Sequence, residues 1–149
     1  MQNYPRIELE KLKNYSMCFG CGQDNPIGLK LKFTWDGNTA HAEFTPGENH
    51  QGWAGYIHGG VTAALLDESI GWAALFAGFH SVTARMETRY RKMIPIGKPI
   101  RLTCTITKQT SRLLETAAKI VSQDGTLMAE ATSTQFIVSP HDENENRDA

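Results

Sequence analysis

Residues 58–78 read HGGVTAALLDESIGWAALFAG, and no other stretch constrains the fold as tightly. Two glycines open the segment, apolar residues fill it, and Asp67 and Glu68 sit side by side at its centre. An ionised group held out of water costs several kcal/mol unless it is paired or neutralised. The segment therefore reads as a buried helix with a working acid on it. Its apolarity alone would also suit a membrane span, but two adjacent carboxylates at the midpoint argue against that.

Helical periodicity sorts the segment into faces. Gly60, Ala64, Asp67, Gly71, Ala74 and Gly78 follow one another at steps of three or four and share a stripe. All but Asp67 are tiny, so the stripe leaves room for another backbone or a substrate tail, with Asp67 as its one chemical group. Partial burial there is expected to raise the Asp67 pKa and make it a better base. The next stripe, Val61, Leu65, Glu68, Trp72 and Leu75, is bulky and reads as core, with an Arg on a facing strand expected as the partner of Glu68. At the helix start, His58-Gly59-Gly60 presents N–H groups that have no intrahelical acceptor. Glycine lets a ligand approach that backbone, and an oxyanion formed from a carbonyl would be held there. His58 reads as a base or as a loop-orienting cap.

The remainder is strand-like. Residues 29–35 and 39–44 alternate around Asp36-Gly37-Asn38, a hairpin signal. After the helix the period becomes two-fold over 81–92, 99–108, 113–122 and 126–138. One long apolar helix among strands needs apolar cover on most of its circumference, and a curved antiparallel sheet supplies it, giving an α+β fold. The expected organisation is one domain over 1–138, with 1–16 as an N-terminal arm and 139–149 as a polar, disordered tail.

Composition narrows the partners. A net charge of −1 favours neither nucleic acid nor an anionic membrane surface. The first residues lack the apolar core of a signal peptide, which places the expected location in the cytoplasm. Three cysteines do not make a disulfide framework. Cys18-x-x-Cys21 offers one ligand pair, with a distant Cys104 and scattered histidines such as His41, His50, His58 and His80. A structural zinc wants four ligands, so the pair reads as a turn packed on the helix and no metal is expected.

HGG followed on the same helix by Asp resembles the hotdog-fold acyl-CoA thioesterases, specifically the phenylacetate-pathway-like (PaaI-type) group. CFGCGQDNPIGLKLKF resembles the CxxCGxxNPxGL segment of many members, and TARMETRYRKMIPIGKPI resembles the long strand after the helix. The resemblance implies a sheet curved around the central helix, a side-by-side homodimer and active sites at the dimer interface; whether dimers pair into a homotetramer is left open by the sequence. It implies Asp67 as catalytic carboxylate, the Gly59 N–H as oxyanion donor, and Thr83 of the other subunit as the group that orients water. Members often carry Asn or Gln six residues before the His of HGG. Gly52 stands there in this chain, with Gln51 and His50 as the nearest substitutes.

The leading expectation is hydrolysis of a small, aryl or medium-chain acyl-CoA, with Asp67 as base or nucleophile and no cofactor, coenzyme A being part of the substrate. Gly60, Gln51, Gly52, Trp53, Glu68, Gly71, Arg85 and Arg91 are the expected substrate-binding residues. Trp53, Tyr56, Trp72 and Phe76 are candidate walls of an acyl pocket. The alternatives are a non-catalytic acyl-CoA binding module and a hotdog dehydratase or hydratase using His58 with Asp67.

Overall fold

The computed structural model describes residues 9–140. A short helix α1 (Leu9–Lys13) precedes strands β1 (Thr34–Trp35) and β2 (Thr39–Phe44), the long helix α2 (Gly59–Phe76), and strands β3 (Phe79–Tyr90), β4 (Ile100–Gln109), β5 (Leu113–Ser122) and β6 (Leu127–Pro140). All six strands form one antiparallel sheet of order β1-β2-β4-β5-β6-β3. α2 lies across one face of that sheet and packs on β2 through β6. This is the hotdog arrangement, with the helix wrapped by the sheet.

The core follows from that contact. Leu65, Leu66, Ile70 and Ala73 of α2 meet Leu102, Cys104, Ala118, Ile120, Ala129 and Ala131 of the sheet. Burying each large aliphatic side chain contributes roughly 1.5–3 kcal/mol. The most deeply buried face of α2 is Thr62, Leu65, Leu66, Ser69, Ile70, Ala73 and Ala74. It is therefore turned away from the expected stripe, of which only Leu65 is buried while Val61, Glu68, Trp72 and Leu75 are half-buried. Polarity misled the assignment: the Ser69 hydroxyl donates to the Leu65 carbonyl at 2.8 Å and so enters the core satisfied. Gly78, at φ +97°, takes the left-handed turn that ends the helix, and its N–H donates to the Leu75 carbonyl at 3.0 Å.

The hairpin is shorter on its first side than expected. Residues 29–33 are not in the sheet. The Leu29 and Leu31 N–H groups donate instead to the carbonyls of Phe19 and Gly20, at 2.8 and 2.9 Å, while both side chains stay in the core. The loop from Cys18 thus competes with β2 for this backbone. At the other end β6 runs to Pro140, two residues past the expected domain boundary. The expected tail beyond it and the start of the expected arm, residues 141–149 and 1–8, lie outside the described residues. Among the described residues no helix is long and apolar enough to cross a membrane.

Candidate active site

Among the described residues, the start of α2 leaves the Gly59 donor without a partner. His58 is the N-cap, and its Nδ1 accepts the Gly60 N–H at 2.8 Å. Gly59 is the first helical residue, and among the described residues its N–H has no acceptor. The carbonyl of the same residue accepts from the Tyr90 hydroxyl at 2.9 Å, which fixes the plane of the Gly59–Gly60 peptide beside that donor. Tyr90 was not among the expected site residues. Its signal was available only as register: β3 runs back past the helix start, so its last residue ends beside Gly59.

Two helical turns further on, Asp67 is exposed and accepts from the Thr83 hydroxyl at 2.8 Å. The expected partial burial of Asp67 is not what the single chain shows: Asp67 is exposed, although Ala64 and Ala74 of the same stripe pack into the core. A Cβ placed on Gly71 meets nothing within 4 Å. The expected Thr83 was that of another subunit, whereas the bond found is within one chain. Behind Thr83 lies a buried polar relay. Gln135, 1% exposed, donates from Nε2 to Thr83 Oγ1 at 3.1 Å and to Ser133 Oγ at 3.0 Å. Ser133 pairs with the Thr116 hydroxyl at 2.6 Å, and Ser81 donates to Gln135 Oε1 at 3.3 Å. Gln135 was missed because a glutamine in a strand looks like surface.

The loop before α2 uses its own polar groups. Gln51 donates from Nε2 to the Glu48 carbonyl at 3.0 Å and accepts the Gly55 N–H at 2.7 Å. His50 Nδ1 accepts the Gly47 N–H at 2.9 Å. Neither substitute for the usual amide is left free. Gly52 itself is exposed but pressed on the helix cap, and a Cβ there would lie 3.1 Å from the His58 Cα.

The remaining expected residues separate into groups. Gly60 and Gly71 lie along the small-residue stripe with Asp67. Arg85 lies on the other face of the sheet. Strict alternation would put residues 83 and 85 on one face, but a bulge between them pairs Thr83 with Gln135 and Arg85 with Thr134. Arg85 and Arg89 flank Glu87 at 3.8 and 3.6 Å, and Arg91 donates to Glu130 at 3.2 Å, all at the surface where such pairs contribute little. Trp53, 81% exposed, and Tyr56 stand in the loop before α2. Trp72 and Phe76, by contrast, pack among Tyr15, Phe33 and Trp35 near the other end of the helix, Trp72 stacked on Phe33 and Phe76 on Trp35. These four aromatics therefore do not build one wall. The expected Arg partner of Glu68 is replaced by a thiol, with Cys18 donating to Glu68 Oε1 at 3.1 Å. Burial, reinforced by the nearby Glu68 carboxylate, pushes the Cys21 thiol far above its ordinary range.

Residues 54–129, just over half of the chain, match the model of the thioesterase superfamily. The chain belongs to that superfamily. Acyl-coenzyme A thioesterase THEM4 of Mus musculus is 32% identical over 98 residues, which are 65% of this chain and 42% of that protein. The chain thus spans about two fifths of the length of such curated relatives. Solved structures share the fold. A Streptococcus mutans protein bound to acetyl CoA has a TM-score of 0.72 at 18% identity, over 75% of this chain and 91% of that one. The E. coli PaaI protein of the phenylacetic acid degradation operon has a TM-score of 0.71 at 17% identity, over 76% and 83%.

Proposed function

We propose that the chain hydrolyses acyl-CoA thioesters, with the Gly59 N–H holding the developing oxyanion and Asp67 acting on water as base or on the carbonyl as nucleophile. The observation that carries this reading is the unpaired Gly59 N–H at the start of a helix that also bears a hydroxyl-anchored Asp67. Removing one oxyanion donor typically costs about 2.7–4 kcal/mol of barrier. Coenzyme A enters as part of the substrate, and no cofactor has a role in the step.

The two groups belong to different subunits of a homodimer in this reading. They are eight residues apart on one helix, about 12 Å along its axis, too far to serve one carbonyl. β3 lies at the sheet edge and is long, so a second copy can add to it across a two-fold axis. Thr83, on that edge strand, then arrives with the Asp67 of its own chain opposite the Gly59 of the other.

The small-residue stripe would take an acyl chain, and a small, aryl or medium-chain acid suits it. The test is free-thiol release over a panel of short-chain, long-chain and aryl acyl-CoAs, with Asp67→Ala as control. Turnover by wild type on one class, lost in the variant with unchanged circular dichroism, supports the reading. Equal turnover by the variant refutes it. A second reading, an acyl-CoA binding module without turnover, is favoured by one observation: Gln51 and His50 are both engaged, so the usual polarising amide has no replacement. Saturable binding with no thiol release from any acyl-CoA would select it.

A further inference from the structure

We propose that Cys18, Cys21 and Glu68 bind one zinc-class divalent cation that clamps the N-terminal loop onto the middle of α2. The two sulfurs and a Glu68 carboxylate oxygen all lie within 4.8 Å of one another, each group half-buried. They come from two segments fifty residues apart in the chain. A tetrahedral zinc with Zn–S near 2.3 Å and Zn–O near 2.1 Å has S···S edges of about 3.8 Å and S···O edges of about 3.6 Å. The Cys18 sulfur already stands 3.1 Å from Glu68 Oε1, so small side-chain rotations bring all three donors onto one ion. Water completes the fourth position at this half-buried surface.

The loop is built around the carboxylate and not merely laid over it. The Gly22 N–H donates to the Cys18 carbonyl at 2.8 Å, closing a turn that brings both thiols to one side. Gly20, between the cysteines, leaves no space for a side chain, because a Cβ there would lie 2.0 Å from Glu68 Cγ. Thiolate donors select zinc over magnesium or calcium, and the carboxylate supplies the third charge. A pair of cysteines alone falls short of a site; the helix carboxylate is the ligand that linear spacing concealed.

The ion has no part in the thioester step, since Glu68 lies on a different stripe of α2 from Asp67. Its role is to fix the loop that carries Leu29 and Leu31 into the core. The test uses tag-free wild-type chain purified in reductant, loaded with Zn²⁺ or Co²⁺ and freed of loose metal by desalting. The expected result is about one metal per chain, with a sulfur-to-cobalt charge-transfer band and four-coordinate d–d absorption in the Co²⁺ form. Glu68→Gln, which keeps the side-chain size and a hydrogen-bond acceptor for Cys18, is expected to weaken Zn²⁺ binding roughly tenfold or more. Three results would overturn the proposal: no retained metal and no charge-transfer band in wild type, equal affinity in Glu68→Gln, or an intact mass lighter by two hydrogens, which marks a Cys18–Cys21 disulfide.

Discussion

Thr83→Val isolates how the strand controls the carboxylate. Valine matches threonine in shape and strand preference, so the change removes a hydroxyl without opening a cavity. That hydroxyl has one proton, which it donates to Asp67 Oδ1 at 2.8 Å, so it accepts from Gln135 Nε2 at 3.1 Å. On the sheet side, Gln135 is 1% exposed and its Nε2 loses one of its two acceptors, keeping only Ser133 Oγ. An unsatisfied buried donor costs about 1–3 kcal/mol, and that is the expected loss in urea unfolding. On the helix side Asp67 is exposed, so water replaces the bond and little stability is lost. What is lost there is direction. A carboxylate free to rotate should slow thioester hydrolysis about ten- to a hundredfold, equivalent to roughly 1.4–2.7 kcal/mol of barrier. The decisive assay is a cycle with Asp67→Ala, measuring kcat/KM and unfolding in all four proteins. Thr83→Val should alter the rate of the Asp67→Ala background less than about twofold while still destabilising it. An equal rate loss in both backgrounds would show that Thr83 does not act through Asp67, and the reasoning would fail.

Other perturbations separate the remaining elements. Asp67→Asn should lower kcat by about a hundred- to ten-thousandfold if the carboxylate is a general base, with the unfolding midpoint nearly unchanged, read by thiol release and thermal melting. Tyr90→Phe frees the Gly59 carbonyl and should reduce kcat/KM by roughly two- to tenfold, with a smaller effect on stability. Leu66→Ala empties a fully buried position against the sheet and should destabilise by about 2–5 kcal/mol in denaturant titration. Asp36 is held down to about 2 by the His41 ring and the Thr39 and Asn38 N–H groups. Its ordinary value is about 3.9, so its stabilisation is present above that pH and fades as pH falls toward 2. Asp36→Asn should therefore lie below wild type in stability at pH 6 and converge with it in acid.

The sequence made the secondary structure legible where one period ran unbroken. Residues 58–77 and 113–122 were recognisable because a helix and a half-buried strand each impose a repeat on apolar residues. Three failures share a cause: each depended on a contact outside the element's own period. Leu29 and Leu31 alternate like a strand, yet their backbone bonds go to Phe19 and Gly20. Arg85 has the parity of Thr83, yet a bulge turns it to the opposite face. Glu68 looked like half of an ion pair with a strand arginine, and a loop fifty residues earlier supplied a thiol instead. Asp67, Gly59 and Thr83 stand out as candidates because helix position and family pattern coincide there. The contacts of Gln135 and Tyr90 are set by strand register alone.

Helix geometry alone keeps the two groups of one chain apart. Gly59 and Asp67 are separated by eight residues, a little over two turns, and no bend within α2 shortens about 12 Å to the reach of one carbonyl group. If both act on the same thioester, they must come from two helices. Three features support this: Gly60, Asp67 and Gly71 leave part of one helix face open, β3 is an edge strand beside it, and Thr83 on that strand donates to the Asp67 of its own chain. The reading therefore forbids an active monomer. A mixture of Asp67→Ala chains with chains impaired at Gly59, for example Gly59→Pro, which deletes the N–H, should regain activity through mixed dimers holding one intact site. Size-exclusion chromatography with light scattering verifies the mixing, and a well-mixed population without recovery would place both groups in one chain or neither in the reaction.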